Sequence, residues 1–311
     1  MKKFVAILLT LMLVLGVSGA LAADAESVVI KKSYKLVGAG SSPAETFTLE
    51  QTGSRVLDGD ATAAAPALGA ITGATFDAGA ATSEGVTKPI TVNLPEYDRV
   101  GIYEYTLKEV KGNTAGVGYY DAAMKLVVTV VNGKNGLERV AAVHTELAQG
   151  ADKSDTFGNT YSAGTLTVKK TVTGNLGDKN KEFDFTVTFA APEGKDWTPA
   201  IEAPDGATLV DGEGVAYTFK LKHDAMATFG NLPADVTYTV TETPVDGYTT
   251  TISNDGKGTI GAGLNEVTFT NHKHGEIPTG VTTENLPYVL LIGFVVLAGA
   301  ALLIKRKAHN N

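Results

Sequence analysis

Six residues of this chain have the types and spacing to build a covalent bond between their own side chains. Lys32, Glu109 and Asn159 occur in that order, and Lys170, Glu242 and Asn271 repeat it. A lysine held among apolar neighbours loses its proton readily and becomes a nucleophilic amine. A carboxylic acid in the same surroundings has a raised pKa and can stay protonated. It can then donate to the asparagine carboxamide oxygen and shuttle protons. The amine attacks the carboxamide carbon, ammonia leaves, and an amide links the two side chains. Folding makes this attack unimolecular, which supplies much of its advantage. The chain does it once, to itself, so it is not an enzyme with turnover.

Strands must position these groups. Alternate residues of a strand share a face. In VVIKKSY, Val28, Ile30, Lys32 and Tyr34 point one way; in LTVKKTV, so do Leu166, Val168, Lys170 and Val172. Each segment thus sets one lysine among core residues, while Lys31 and Lys169 point outward to solvent. A buried ammonium is costly unless paired or neutral. Tyr103, Tyr105, Leu107 and Glu109 share a face, as do Tyr238, Val240 and Glu242. Phe157 and Asn159 alternate near the end of the first half, and Val267, Phe269 and Asn271 near the end of the second. One inward polar residue is an ordinary edge residue; three types in the same order twice are a pattern.

The rest of the chain frames that pattern. Its 311 residues have room for about two domains. Abundant Gly, Thr and Val, with turn residues between short alternating runs, predict an all-β chain of two tandem β-sandwiches. The division falls near Ser162-Ala163-Gly164, giving sandwiches over 23–162 and 163–273. The net charge of −8 and the lack of a basic stripe argue against nucleic acid as a partner. With no cysteine in the chain, any covalent reinforcement must come from chemistry other than disulfides.

Both ends carry addressing signals. Residues 1–22 read as a signal peptide: basic Met1-Lys2-Lys3, an apolar run from Phe4 to Val17, and Ala20-Leu21-Ala22 for cleavage. Near the other end, Leu286 to Ile304 is uncharged and apolar. As a helix it would be about 28 Å long, enough to cross a bilayer. Lys305-Arg306-Lys307 opens a basic tail over 305–311, a stop on the cytoplasmic side. The linker over 274–285 holds Glu276-Ile277-Pro278-Thr279-Gly280.

Pentapeptide, short spacer, apolar span and basic tail resemble the cell-wall sorting signal of Gram-positive surface proteins. That resemblance implies attack by a sortase cysteine thiolate on the bond between Thr279 and Gly280, then resolution of the acyl-enzyme by an amine. The common form is L-P-x-T-G. Here Pro278 directly precedes Thr279, which resembles the E/Q-V-P-T-G form of some streptococcal shaft pilins and implies a dedicated pilin sortase. GTLTVKKTVTGN, the D-K-N-K-E-F-D-F run, N-L-P…Y-T-V-T-E and V-T-F-T-N make the second half resemble a Cna protein B-type domain, an Ig-like sandwich. The first half resembles the pilin isopeptide-linkage domain of streptococcal shaft subunits.

Together these resemblances, which span nearly the whole mature chain, imply the major pilin of a covalent surface pilus. They imply a Lys32–Asn159 bond assisted by Glu109 and a Lys170–Asn271 bond assisted by Glu242. The implied partners are a pilin sortase, neighbouring copies of the chain in a head-to-tail polymer, accessory tip and basal pilins, and peptidoglycan. The implied location is the cell wall, after a membrane-anchored precursor. The runner-up is an adhesin, or a tip or basal pilin, that binds a host ligand.

A shaft subunit needs a surface lysine to resolve its neighbour's acyl-enzyme. Lys153, in GADKSDTFGN, is the candidate by resemblance, with Lys134 in the Asn132–Asn135 turn as an alternative and a solvated loop lysine as the plain reading of either. Gly256-x-Gly258-x-x-Gly261 has the letters of a dinucleotide fingerprint but leads into a strand, so it reads as a hairpin loop. His272 and His274 lack a third ligand and read as linker residues. No cofactor or metal is expected. The Ala/Gly/Thr-rich stretch from Asp58 to Gly85 reads as surface loops and small-residue strands.

Overall fold

The computed structural model describes residues 25–59, 64–144, 154–210, 215–276, 288, 290–292 and 295. The chain is all-β. In the first half, β1 (Ser27–Gly38), β2 (Glu45–Phe47), β3 (Leu49–Asp58), β4 (Ile71–Thr72), β5 (Ala74–Phe76), β6 (Val86–Asn93), β7 (Gly101–Glu109), β8 (Val117–Gly118), β9 (Met124–Asn132) and β10 (Leu137–His144) lead into β11 (Thr156–Thr173). The second half adds β12 (Phe183–Ala190), β13 (Thr208–Val210), β14 (Val215–Leu221), β15 (Met226–Pro233), β16 (Thr237–Glu242), β17 (Thr249–Ile252), β18 (Lys257–Thr259) and β19 (Gly263–His272).

Two cores explain the layers. In the first, Ile30, Tyr34, Ile90, Val92, Phe157 and Tyr161 from the β4–β6–β1–β11 sheet meet Tyr103, Tyr105, Leu107, Leu126 and Val128 from the β10–β9–β7–β3 sheet. In the second, Leu166, Val168, Val172, Phe229, Val267 and Phe269 meet Phe183, Phe185, Val187, Phe219 and Val240 from the β13–β14–β12–β16–β18 sheet. Two sheets facing each other across a shared apolar layer bury the alternate residues of each, as the period-2 pattern requires.

The two halves are not joined by a linker. β11 is one strand of 18 residues, and it passes straight through the expected division at residues 162–164. The first core ends at Ala163 and the second begins at Leu166 on the same strand. Along one edge of β11, parallel β1 runs to Gly38 opposite Ala163, and parallel β19 starts at Gly263 opposite Gly164. Along the other edge, β8 and then β15 pair antiparallel.

Glycine makes the handover possible. Gly38 has φ +89, and a Cβ there would lie 2.0 Å from the Ala163 carbonyl oxygen. The junction is braced on two flanks. Ser41 N donates to Asn231 Oδ1 at 2.8 Å, and Ala115 N donates to the Asp196 carbonyl at 2.8 Å.

The Asp58–Gly85 stretch is more than surface. Its Ala74 and Phe76 are buried, and the Phe76 ring packs edge-on against Tyr34 and Phe47. Gly256 to Gly261 spans β18 and the approach to β19, so it opens onto a strand. Among the described residues no helix is long and apolar enough to cross a membrane; most of the apolar span over 286–304 lies outside them, as do the signal peptide and residues 277–280.

Candidate functional site

Each lysine enters its core from a strand flanked by apolar residues. Ile30 and Tyr34 are buried on either side of Lys32, and Val168 and Val172 on either side of Lys170. Lys32 is 0% exposed and Lys170 is 1% exposed. Their sequence neighbours face outward and make surface pairs: Lys31 Nζ lies 3.0 Å from Asp155, and Lys169 pairs with Glu266.

The asparagines come from the parallel neighbour strands, at the same offset in both halves. Lys32 faces Phe157, with Asn159 two residues on; Lys170 faces Phe269, with Asn271 two residues on. In a parallel pair that offset separates the two Cα atoms diagonally by about 8 Å. Both side chains point to the same face, so an extended lysine reaches its asparagine. The acid comes from the opposite sheet, at the last residue of β7 or β16. Each cluster therefore spans the sandwich, with lysine and asparagine on one sheet and glutamate on the other.

The contacts follow that placement. Lys32 Nζ donates to Glu109 Oε2. Asn159 Nδ2 donates to Glu109 Oε1 at 2.6 Å. In the second half, Lys170 Nζ donates to Glu242 Oε2 at 2.8 Å, and Asn271 Nδ2 donates to Glu242 Oε1. One carboxylate thus holds amine and carboxamide together.

The sequence reading placed the acid on the carboxamide oxygen; the structure puts it on the nitrogen. The reason is geometric. A carboxylate accepting from the ammonium with one oxygen presents its other oxygen as an acceptor too, and the carboxamide meets an acceptor with its NH2.

Aromatic rings complete the walls. Lys32 Nζ lies 3.9 Å from the centroid of Phe157 and 4.7 Å from that of Phe47. Lys170 Nζ lies 4.1 Å from that of Phe183. Burial pushes the Lys32 amine down to about 8, against the raising effect of the Glu109 charge. Burial lowers Lys170 as well, opposed by its bond and charge contact with Glu242. Both lysines are therefore easier to deprotonate than in water, which an attacking amine requires.

All six sequence-predicted residues come together, three in each half. Lys153, Ile277, Pro278, Thr279 and Gly280 lie outside the described residues, and Glu276 stands at their edge. Lys134 is exposed in the β9–β10 turn, its N–H on Glu138 at 3.3 Å. His272 Nδ1 lies 3.0 Å from Thr173 Oγ1, and its ring stacks on His274.

Three participants were missed. Phe76 closes the first core, and its signal was being the sole aromatic in an Ala/Gly/Thr run. Tyr120 N donates to Asn159 Oδ1 at 2.9 Å. The imidazole of His223 accepts from Val172 N at 3.0 Å, satisfying the edge of β11 beyond β15. The last two contacts leave no pattern in the sequence.

Known proteins share this arrangement of the chain. Residues 30–162 match the family described as "Spy0128-like isopeptide containing domain", and residues 164–273 match a "Domain of unknown function (DUF7601)". The chain is 30% identical over 235 residues to a pilin of Streptococcus pyogenes serotype M1, covering 68% of this chain and 69% of that one. It is 33% identical over 126 residues to the pilus tip adhesin Cpa of Streptococcus pyogenes, covering 38% of this chain and 18% of the adhesin. The crystal structure of the major pilin from Streptococcus pyogenes superimposes with a TM-score of 0.54 at 24% identity, covering 83% of this chain and all of that one. On this likeness, the chain belongs to the pilin family, and its first half to the isopeptide-containing domain family.

Proposed function

We propose that this pilin is the repeating structural subunit of a covalent surface pilus, and that each half welds itself with one lysine–asparagine amide. The observation that carries the reading is the duplicated cluster. In both halves a buried lysine with a lowered pKa and a buried asparagine share one carboxylate, at the same strand offset. In each, the lysine passes its proton to the glutamate and the free amine attacks the asparagine Cγ. The glutamate gives that proton to the departing nitrogen and takes a second from the attacking nitrogen, so that ammonia leaves and a neutral amide remains. Lys32 with Glu109 and Asn159, and Lys170 with Glu242 and Asn271, are the reacting sets.

The assembly step rests on the sorting signal. A pilin sortase cleaves between Thr279 and Gly280, reading Glu276, Ile277 and Pro278, and a lysine of the next copy takes the acyl group. Lys153 is the candidate acceptor. The two domains are 23–162 and 163–273; the precursor carries a leader over 1–22 and an anchor over 286–304, and the product stands on the cell wall.

Because β11 holds both Asn159 and Lys170, pull entering near Lys153 runs down one strand. It then crosses the second bond and leaves past Asn271 toward Thr279. The intact mass of the secreted ectodomain tests the welding: it should fall short of the sequence mass by two molecules of ammonia, and a full sequence mass would end the reading. Co-expression with the cognate sortase tests assembly: an SDS-resistant ladder should form and Lys153→Ala should abolish it. A chain that welds but never ladders would favour the adhesin reading, which the similarity of 126 residues to Cpa supports.

A further inference from the structure

The two clusters differ at the atom that must carry charge during the reaction. When the amine attacks Cγ, the carboxamide oxygen becomes an oxyanion in the tetrahedral intermediate. With the glutamate committed to the nitrogen, that oxygen needs another donor. Asn159 Oδ1 has one, the main-chain N–H of Tyr120 at 2.9 Å. The same N–H also reaches Glu109 Oε1 at 3.3 Å. Asn271 Oδ1 is buried with no hydrogen-bond partner among the described residues.

The difference has a structural cause. Asn159 stands on β11, whose outer neighbour there is the two-residue β8, paired only at Thr160 and Tyr161. The chain leaves the ladder after Gly118, and the Tyr120 amide turns to a side chain instead of a strand partner. The Tyr120 ring, 5.2 Å from Phe157 between centroids, pins it there. Asn271 stands on β19, where Thr250 of β17 faces it in a regular antiparallel ladder. Ladder amides point at main-chain carbonyls, not side chains.

We infer that the Tyr120 main-chain amide is the oxyanion donor for amide formation between Lys32 and Asn159, and that the second site closes its bond without a counterpart. The inference rests on the proposed welding reaction. Each step balances: the Lys32 N–Cγ bond forms as the C=O pair moves to Oδ1, the amine proton passes through Glu109 to Nδ2, and collapse of the oxyanion expels ammonia. A preorganised N–H aimed at that oxygen lowers the barrier without reorganising at the moment of reaction.

The test replaces the 119–120 amide of the full chain by an ester, using the hydroxy-acid analogue of tyrosine at position 120 in cell-free synthesis. Cross-linked peptides are followed by mass spectrometry over time. The Lys32–Asn159 link should form about 100-fold more slowly, while the Lys170–Asn271 link in the same molecules keeps its rate. An unchanged first rate would overturn the donor role alone. Absence of the first link from the unmodified chain would overturn the welding reaction and the donor role together.

Hydrogen exchange gives a second measurement, independent of the ester chain. In the full-length double variant Lys32→Met, Glu109→Leu the core holds no charge and the link cannot form. The Tyr120 amide should then exchange slowly, and adding Asn159→Leu should release it. Fast exchange in the double variant would sink the proposal.

Discussion

Lys32 and Lys170 occupy equivalent points of two sandwiches. Each faces a phenylalanine of a parallel neighbour, and each has its asparagine two residues farther along. The carboxylate grips both partners in the same way in each half. The surroundings of the asparagine oxygen are not alike, because a loop borders one site and a regular strand borders the other. Bond identity is thus a property of strand offset, which the duplicated pattern repeats. Assistance to the bond is a property of the neighbouring segment, which it does not repeat.

The largest effects should come from the acids. Glu109→Ala should leave the first half unlinked and strand a buried ammonium. Losing the cross-link over a loop on the order of 100 residues costs about 5 kcal/mol by analogy with disulfides, and an uncompensated buried charge about 3–5 kcal/mol more. The intact mass should then show one ammonia lost instead of two, with the remaining link mapped to Lys170–Asn271. Loss of both links would mean that the two sites are coupled through β11.

Asn271→Ala should be milder, because it removes the second link and keeps the Lys170–Glu242 pair. About 5 kcal/mol is expected, read as earlier thermal unfolding of the second half. A drop as large as that of Glu242→Ala would show that the ion pair contributes nothing.

Next is the handover between β1 and β19. Gly38→Ala puts a side chain at φ +89 against the Ala163 carbonyl and should cost about 1–3 kcal/mol, shifting the denaturant midpoint of both halves.

A pH effect sharpens the contrast between linked and unlinked lysine. In Asn159→Ala, Lys32 stays a free amine whose folded pKa of about 8 lies below its ordinary 10.5. Between those values the unfolded chain binds more protons, so stability should rise as pH climbs through that window. The linked protein has no such titration at Lys32. Urea unfolding at several pH values checks it, and a falling profile for the variant would contradict it. Gly158→Ala should do least: Ser33 Cβ is 3.7 Å from the new methyl, and a less flexible unfolded chain adds at most about 1 kcal/mol.

Much of the site was legible before the structure. Lys32 interrupts an apolar alternation between Ile30 and Tyr34, and Lys170 one between Val168 and Val172; both are buried as that alternation requires. Tyr105, Leu107 and Glu109 likewise follow period 2 into the core. Asn159 sits in TFGNT, a segment whose glycine argues against a strand, yet it lies inside an 18-residue strand. Its pairing with β1 on one edge and β8 on the other overrides the local preference. The Asp58–Gly85 stretch misled because small residues carry little periodicity, although its one aromatic completes the first core.

The local pattern by itself determined which side chains turn inward, since alternation along a strand is a property of the backbone and needs no partner. It also determined that lysine, acid and asparagine recur in one order. Only the tertiary structure decided that β11 is a single unbroken spine serving both sandwiches, and that each asparagine lies two residues beyond the residue facing its lysine. It alone placed the glutamate on the carboxamide nitrogen and the Tyr120 amide on the oxygen of the first site. Strand register and loop approach depend on packing between segments far apart in the chain, and no local run of residues encodes them.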